Sequence, residues 1–255
     1  MSALPRTADS AVRRTPYPPQ AVEIRLGGPS TQAACLALDD SYETGRMWQV
    51  APRAFDEPTG LAPGGADTAL GVILQPLRLP RPLHEPGLAQ LQPPAARHAT
   101  WQAADCILVA LRAGAAAALP PPDTADPANS TDPTNSIPHS AFCIPHSDLW
   151  GFVVLNALAN THIGWISELA VAPEQRGRGV GRMLIEAARA WAAAPLEHGG
   201  GGQLRALAVR LSPRNYPAIN LARHAGFQFA GYTDYTPAGG DLRLFFLARL
   251  DSVIS

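Results

Sequence analysis

The sequence contains no lysine; all 20 of its basic side chains are arginine. A nucleotide-binding P-loop ends in Gly-Lys-Ser or Gly-Lys-Thr, so that chemistry is excluded. Cysteine is scarce too. Cys35, Cys106 and Cys143 lie far apart and form no Cys-x-x-Cys pair. Such a set makes neither a disulfide frame nor a zinc site, and the three read as small buried apolar residues. His162 and His224 lack metal-ligand spacing, so no metal is expected. Charged residues make up only 16% of the chain and the net charge is -1, which leaves no basic field for nucleic acid. No apolar run approaches a membrane span, and Arg6, Arg13 and Arg14 are not followed by the apolar stretch of a secretory signal. The expectation is a cytoplasmic protein with neither membrane nor nucleic acid as partner.

Apolar residues form 46% of 255, enough for a sizeable core, while 26 Pro and 22 Gly assign part of the chain to loops. Residues 1–20 are polar and Pro-rich and read as a disordered leader. Residues 113–147 are a low-complexity insertion that cannot bury enough apolar area to offset its ordering entropy; they read as a flexible loop within a hairpin. The remainder, 21–255, reads as one domain.

Alternation over 22–26 predicts a first strand, and Pro29 with Ser30 opens a helix. Residues 52–68 read as loop, 69–79 as a strand, and 106–111 as a second clear strand. Strand 149–158 turns at Asn160 into strand 161–172. Helix 179–194 follows, with Val180, Leu184, Ala187, Ala188 and Trp191 on one face. Gly199 to Gly202 reads as a flexible break. Strand 204–211, helix 216–225, strand 227–234 and strand 242–250 end the chain. This order predicts an α/β (α+β) fold, a mixed sheet with helices packed on it.

The most informative stretch is Gln175-Arg176-Gly177-Arg178-Gly179-Val180-Gly181. Alternating glycines remove side chains where a ligand must approach closely. The helix that begins there offers free N–H groups and the positive end of its dipole. A pyrophosphate suits that place, with Arg176, Arg178 and Arg182 adding charge. A Rossmann fingerprint starting at Gly177 would need Gly where Arg182 stands.

Arg176 to Gly181 matches the R-x-x-G-x-G motif and resembles the GNAT acetyltransferase superfamily. The resemblance implies a mostly antiparallel central sheet of six to seven strands flanked by helices. It also implies acetyl-CoA as co-substrate, its pyrophosphate on the amides of residues 176–181 and its pantetheine paired along Leu169, Ala170 and Val171. Asn215 to Phe227 is similar to the second family motif, with Asn215, Ala218, Leu221, Gly226 and Phe227 in register. Asn215 can equally cap the helix that Pro217 begins, and Gly226 can end it. The motif's Tyr, the general acid for the departing thiolate, is replaced by Ala222. Either Tyr216, Ser212, Tyr232, Tyr235 or water then serves, or activity is reduced. Ser41 to Thr44, Trp48-Gln49, Asn215 to Ile219, Gly231-Tyr232 and Asp241-Leu242 resemble streptothricin acetyltransferase-like members.

Acyl transfer to an amine needs the amine neutral, so a carboxylate base is useful. Glu168 stands on the strand before the turn, and Ile166 and Ala170 on its face would raise its pKa. Its alternative is a salt-bridged structural Glu. Asp39, Asp40 and Glu43 cluster at the end of the first helix beside Tyr42 and Trp48, a region that the resemblance places on the acceptor side. Acidic and aromatic groups there suit a cationic amine. The implied function is direct acetyl transfer to a primary amine of a small molecule: an aminoglycoside- or streptothricin-like antibiotic, a polyamine or an amino acid. Ala222 motivates the alternative of a non-catalytic acyl-CoA-binding module. The oligomeric state is open, a homodimer included.

Overall fold

A computed structural model describes residues 21–54, 70–87, 91–114, 148–158, 160–233 and 242–250. The expected leader, the 115–147 part of the insertion, Cys143, Tyr235 and Asp241 lie outside the described residues. In chain order the elements are β1 (Val22–Leu26), α1 (Pro29–Leu36), β2 (Tyr42–Ala54), β3 (Leu70–Glu85), α2 (Pro94–Gln102), β4 (Cys106–Arg112), β5 (Leu149–Leu158), β6 (Ile163–Val171), α3 (Val180–Ala193), β7 (Ala206–Leu211), α4 (Tyr216–His224), β8 (Gln228–Thr233) and β9 (Arg243–Arg249). Seven strands form one sheet in the order β1-β4-β5-β6-β7-β9-β8, while β2 and β3 pair with each other as a separate two-stranded arm. Within the large sheet only β6 and β7 run parallel.

The apolar runs of β4 and β5 do not alternate because both faces of the sheet are covered. On one face α1 and α2 bury Ala34, Cys35, Leu38 and Trp101 against Val109, Leu111, Phe152 and Val154. On the other, α3 and α4 bury Leu184, Ala188 and Ile219 against Val153, Leu155, Leu207 and Phe246. The stripe expected on α3 is the buried one, Ala187 lying at its partly buried margin.

The pairing of β6 and β7 is short. Ile163–Ile166 pair with Ala206–Val209 and the ladder stops there, although β6 continues to Val171 and β7 to Leu211. The β5–β6 register shifts at the same level. Val154 faces Glu168 while Leu155 faces Ile166, so Ser167 is the extra residue of a bulge. A bulge bends and twists the strand that carries it. Here it coincides with the parting of β6 from β7.

Four expectations need correction. Residues 52–54 end the long strand β2 rather than starting a loop, and Tyr42 and Glu43 lie on that strand rather than at a helix end. The strand expected at 69–79 runs to Glu85. Helix α2 was not anticipated, because its nine residues carry few apolar side chains and Arg97 occupies a core-facing position. The Gly199–Gly202 break is tied down: Gly201 N–H donates to Trp191 O at 2.7 Å and Gly202 N–H to Ala194 O at 3.1 Å. The β5–β6 turn holds a left-handed residue at His162, φ 51°, and Thr161 N–H closes it on Leu158 O at 3.0 Å. Among the described residues no helix is long and apolar enough to cross a membrane.

Close approach of β5 to β6 makes Gly151 a sensitive position. A Cβ there would stand 2.6 Å from the carbonyl oxygen of Ala170, a backbone atom that cannot swing aside. Gly151→Ala is expected to destabilise the fold by about 1–3 kcal/mol, as overpacking does. A urea midpoint equal to that of the parent chain would refute the close approach.

Candidate active site

After β6 the chain makes one turn of 3-10 helix, Pro173–Gln175, and then the glycine turn. Gly177 and Gly179 have φ of 75° and 94°, left-handed values that other residues adopt at a cost. A Cβ on either would meet nothing within 4 Å, so the space in front of the turn is open. The first backbone bond at the head of α3 runs from Met183 N–H to Gly179 O, at 3.0 Å. The amides of Val180, Gly181 and Arg182 thus head the helix with no acceptor inside it, at the positive end of its dipole. Gly181 carries a packing constraint as well. A Cβ there would lie 2.9 Å from Leu221 Cδ2, so this glycine lets α4 pack on α3.

The three arginines divide as well. Arg182 is exposed, 3.9 Å from Glu186 one turn on. Arg178 is half-buried. Arg176 turns its guanidinium into the protein: Nε donates to Val171 O at 2.9 Å, Nη1 to Ser41 O at 2.6 Å and Nη2 to Asp39 O at 2.8 Å.

Leu169, Ala170 and Val171 pair with β5 through Val153, Phe152 and Gly151. They lie beyond the last β6–β7 pair, so among the described residues their opposite edge has no strand partner. That edge leads from the parting of the strands to the glycine turn.

The second half-site begins at α4. Asn215 Oδ1 accepts the N–H of Ala218 at 3.0 Å, a helix cap that occupies both groups. Gly226, φ 84°, ends the helix, and Phe227 N–H returns to Ala222 O at 3.0 Å. Ala222 is buried in the core of that face. Tyr216, in the first turn of α4, stacks on Trp48 with ring centroids 5.8 Å apart, and its hydroxyl accepts from Arg46 Nη1 at 3.4 Å. The Arg46 hydrogen bond, helped by one from Asn220, lowers the Tyr216 pKa. Ser212 serves locally, its Oγ accepting the Arg214 N–H at 3.3 Å, and Tyr232 is exposed on β8.

Glu168 is 6% exposed. The bulge sets it on the opposite face from Ile166: Ile166 packs in the α3 and α4 core, whereas Glu168, like its neighbour Ala170, faces α1 and α2. The expectation that Ile166 shares its face is corrected accordingly. Arg97 of α2 reaches it, Nη2 to Oε2 3.6 Å, while Arg97 Nη1 donates to Leu36 O at 2.7 Å. Burial raises the Glu168 pKa; Arg97 opposes the rise and Asp40 adds to it. Glu168 Oε2, Arg97 Nε and Nη2 and Trp101 Nε1 are all buried without a protein hydrogen bond of good geometry. Neither Arg97 nor Trp101 was singled out from sequence. The available signal was Pro93-Pro94 opening a helix with residues 97 and 101 one turn apart.

The acceptor-side candidates separate. Asp39 caps its own loop, taking the Ser41 N–H at 2.9 Å, and the Ser41 hydrogen bonds hold its carboxyl below the usual range. Asp40 stands near enough to bear on both Glu168 and Arg176. Burial, with Glu85 adding to it, pushes the Tyr42 phenol up to about 12, so that hydroxyl stays protonated. Glu43 is exposed on β2 opposite His84. Trp48 is a core residue, 4% exposed, held between Tyr216 and the Arg223 guanidinium.

Two charges buried together should behave as a pair. Arg97→Ala leaves the Glu168 carboxylate unpartnered and is expected to cost about 3–5 kcal/mol at neutral pH. Replacing both (Arg97→Met with Glu168→Leu) should recover most of that loss. Denaturant unfolding of the two variants decides it; equal losses in both would deny the pairing.

Residues 110–227 match the family model described as the acetyltransferase (GNAT) family. No curated protein sequence matches the chain significantly. Among solved structures, nourseothricin acetyltransferase is 23% identical with a TM-score of 0.56, over 90% of this chain and 99% of that one. A protein assigned as a streptothricin acetyltransferase, from Bacillus anthracis str. Ames and solved with acetyl coenzyme A, is 15% identical with a TM-score of 0.57 over the same shares. These likenesses show a common fold extending well beyond the matched segment. The glycine turn at the head of α3 and the parted strands before it both lie within residues 110–227, the segment that is similar to the acetyltransferase (GNAT) family.

Proposed function

We propose that the chain transfers an acetyl group from acetyl-CoA directly to a primary amine of a small cationic molecule, of the streptothricin type. The observation that carries this reading is the unpaired β6 edge running into the helix-headed glycine turn. A pantetheine arm, which is amide-rich, can pair with the backbone of Leu169 to Val171 as a further strand would. The pyrophosphate then meets the amides of residues 177–182. Gly177 and Gly179 fit this, since the space before them is open. The fold shared with the nourseothricin and streptothricin enzymes supports the acceptor class.

The amine must lose a proton before its lone pair can attack. Glu168 is the base in this reading, with a pKa raised toward the range where it takes that proton. Attack forms the C–N bond at the thioester carbonyl, and collapse of the tetrahedral intermediate breaks the C–S bond. The departing thiolate takes a proton. Ala222 cannot give one, and in this reading Tyr216, in the first turn of the same helix and with its pKa lowered, does. Asp39, Asp40 and Tyr42 supply the polar wall for a cationic acceptor. Buried Ala222 also keeps the second reading in view, an acyl-CoA-binding module without turnover.

Calorimetric titration of acetyl-CoA tests the turn. Gly179→Glu should abolish the binding heat, because it puts a carboxylate and a strained backbone at the phosphate site; retained micromolar affinity would dismiss the assignment. Release of free thiol with nourseothricin or spermidine as acceptor separates the enzyme from the module. Glu168→Gln should lower kcat by about 10²–10⁴ while sparing acetyl-CoA affinity. The sign of the pH dependence follows from the base being active when ionised. With its pKa raised, the parent's kcat/KM should climb with pH through a range above that of an ordinary Glu. Arg97→Met removes a charge that lowers this pKa, so the climb should move to still higher pH. A profile that ignores both substitutions would remove Glu168 from the mechanism.

A further inference from the structure

We infer that Arg176 is a positioning residue that fastens the acceptor-side loop to the glycine turn, and that it is not a ligand of the coenzyme's phosphates. Its side chain leaves the turn and meets three carbonyl oxygens: Val171 at the end of β6, and Ser41 and Asp39 in the loop between α1 and β2. These acceptors come from segments some 130 residues apart in sequence. The planar guanidinium fork suits several carbonyls at once, which a lysine ammonium on its flexible stem does not. Donors engaged at 2.6 to 2.9 Å are directed away from the open space before Gly177 and Gly179.

The loop is held from its other side as well. A Cβ on Gly87, just after β3, would fall 2.5 Å from Asp40 Cγ and 2.8 Å from Ser41 N. Residues 39–41 are therefore pinned between Arg176 and the end of the arm. They carry Asp39 and Asp40 and lead into Tyr42. With its guanidinium committed to these carbonyls, Arg176 holds the acceptor-side loop in place and leaves the turn amides to the phosphates. The consequence for the transferase rests on the coenzyme reading of the turn; the clasp itself does not.

Hydrogen–deuterium exchange on the full chain, without coenzyme, tests the clasp. Arg176→Gln should speed exchange of the amides in 38–44 by about tenfold or more, while the middle of α3 is unchanged. Gly87→Ala should do the same from the other side with the turn intact. Arg176→Lys should not restore the parent rates. Unaltered exchange in Arg176→Gln would overturn the clasp. Calorimetry with acetyl-CoA tests the second half. Arg176→Gln should bind within about threefold of the parent, whereas loss of a charged phosphate ligand would cost about tenfold or more and overturn the inference. With nourseothricin as acceptor, the KM for the amine should rise and that for acetyl-CoA should hold; the reverse split also overturns it. A parent chain that gives no heat with acetyl-CoA would defeat the proposed function, and the exchange result would still decide the clasp.

Discussion

One extra residue in β6 governs the geometry of the candidate site. Where Ser167 bulges, the β5 register slips, and the inward-facing set on β6 changes from Ile166 to Glu168 and Ala170. A strand of period two cannot otherwise move a side chain to the other layer without a register error along its whole length. The same bend coincides with the end of the β6–β7 ladder. A single backbone irregularity thus accounts for two things: an acid buried on the α1 and α2 face, and a strand edge left open on the way to α3. Without it, the sheet would close over the gap and Glu168 would point into the core of α3 and α4.

Burying that acid creates a tension that α2 resolves only in part. Desolvation favours the neutral carboxyl, and Arg97 favours the carboxylate. The arginine is itself buried and spends one nitrogen on the end of α1. Four polar atoms around the pair lack a well-formed partner, which is costly in an interior of low dielectric. Apolar side chains of the same size would fill this space at less cost. Stability alone would not select this cluster, which lies beside the parting of β6 from β7.

Legibility in the sequence followed how local each signal was. The glycine turn, the α3 stripe, the Asn215 cap and the Gly226 stop depend on residues within one or two turns of each other, and all were readable. So was the β4–β5 hairpin, since both strands are long apolar runs. Of the arm only the first part of β3, expected at 69–79, was readable; β2 and the rest of β3 were not, because they lie outside the large sheet and their pattern is interrupted by Gly45, Pro76 and Pro80. Helix α2 escaped because its core-facing residue is an arginine whose partners, Leu36 O and Glu168, are remote in sequence. The packing reason for Gly181 escaped for a similar reason: Leu221 fills its space, and nothing near Gly181 announces that. Arg176 reads as phosphate charge in a motif and becomes a loop clasp only when Asp39 and Ser41 are brought beside it.

The replacement of tyrosine by Ala222 can be understood through the arm. Trp48 donates its backbone N–H to Pro213 O at 2.8 Å and stacks on Tyr216, and Arg46 reaches the Tyr216 hydroxyl from the same strand. Arg223 lies over the other partner of that stack, 4.6 Å from the Trp48 ring. The arm thus holds the first turn of α4 by two contacts and the segment before it by a third, and sets a phenol of lowered pKa there. Beneath it, position 222 belongs to the packed core, where a small side chain fits. A tyrosine at that place would have to displace part of this core to present its hydroxyl. With position 222 given to the core, the phenol of this helix is Tyr216, which the arm holds through Trp48 and Arg46.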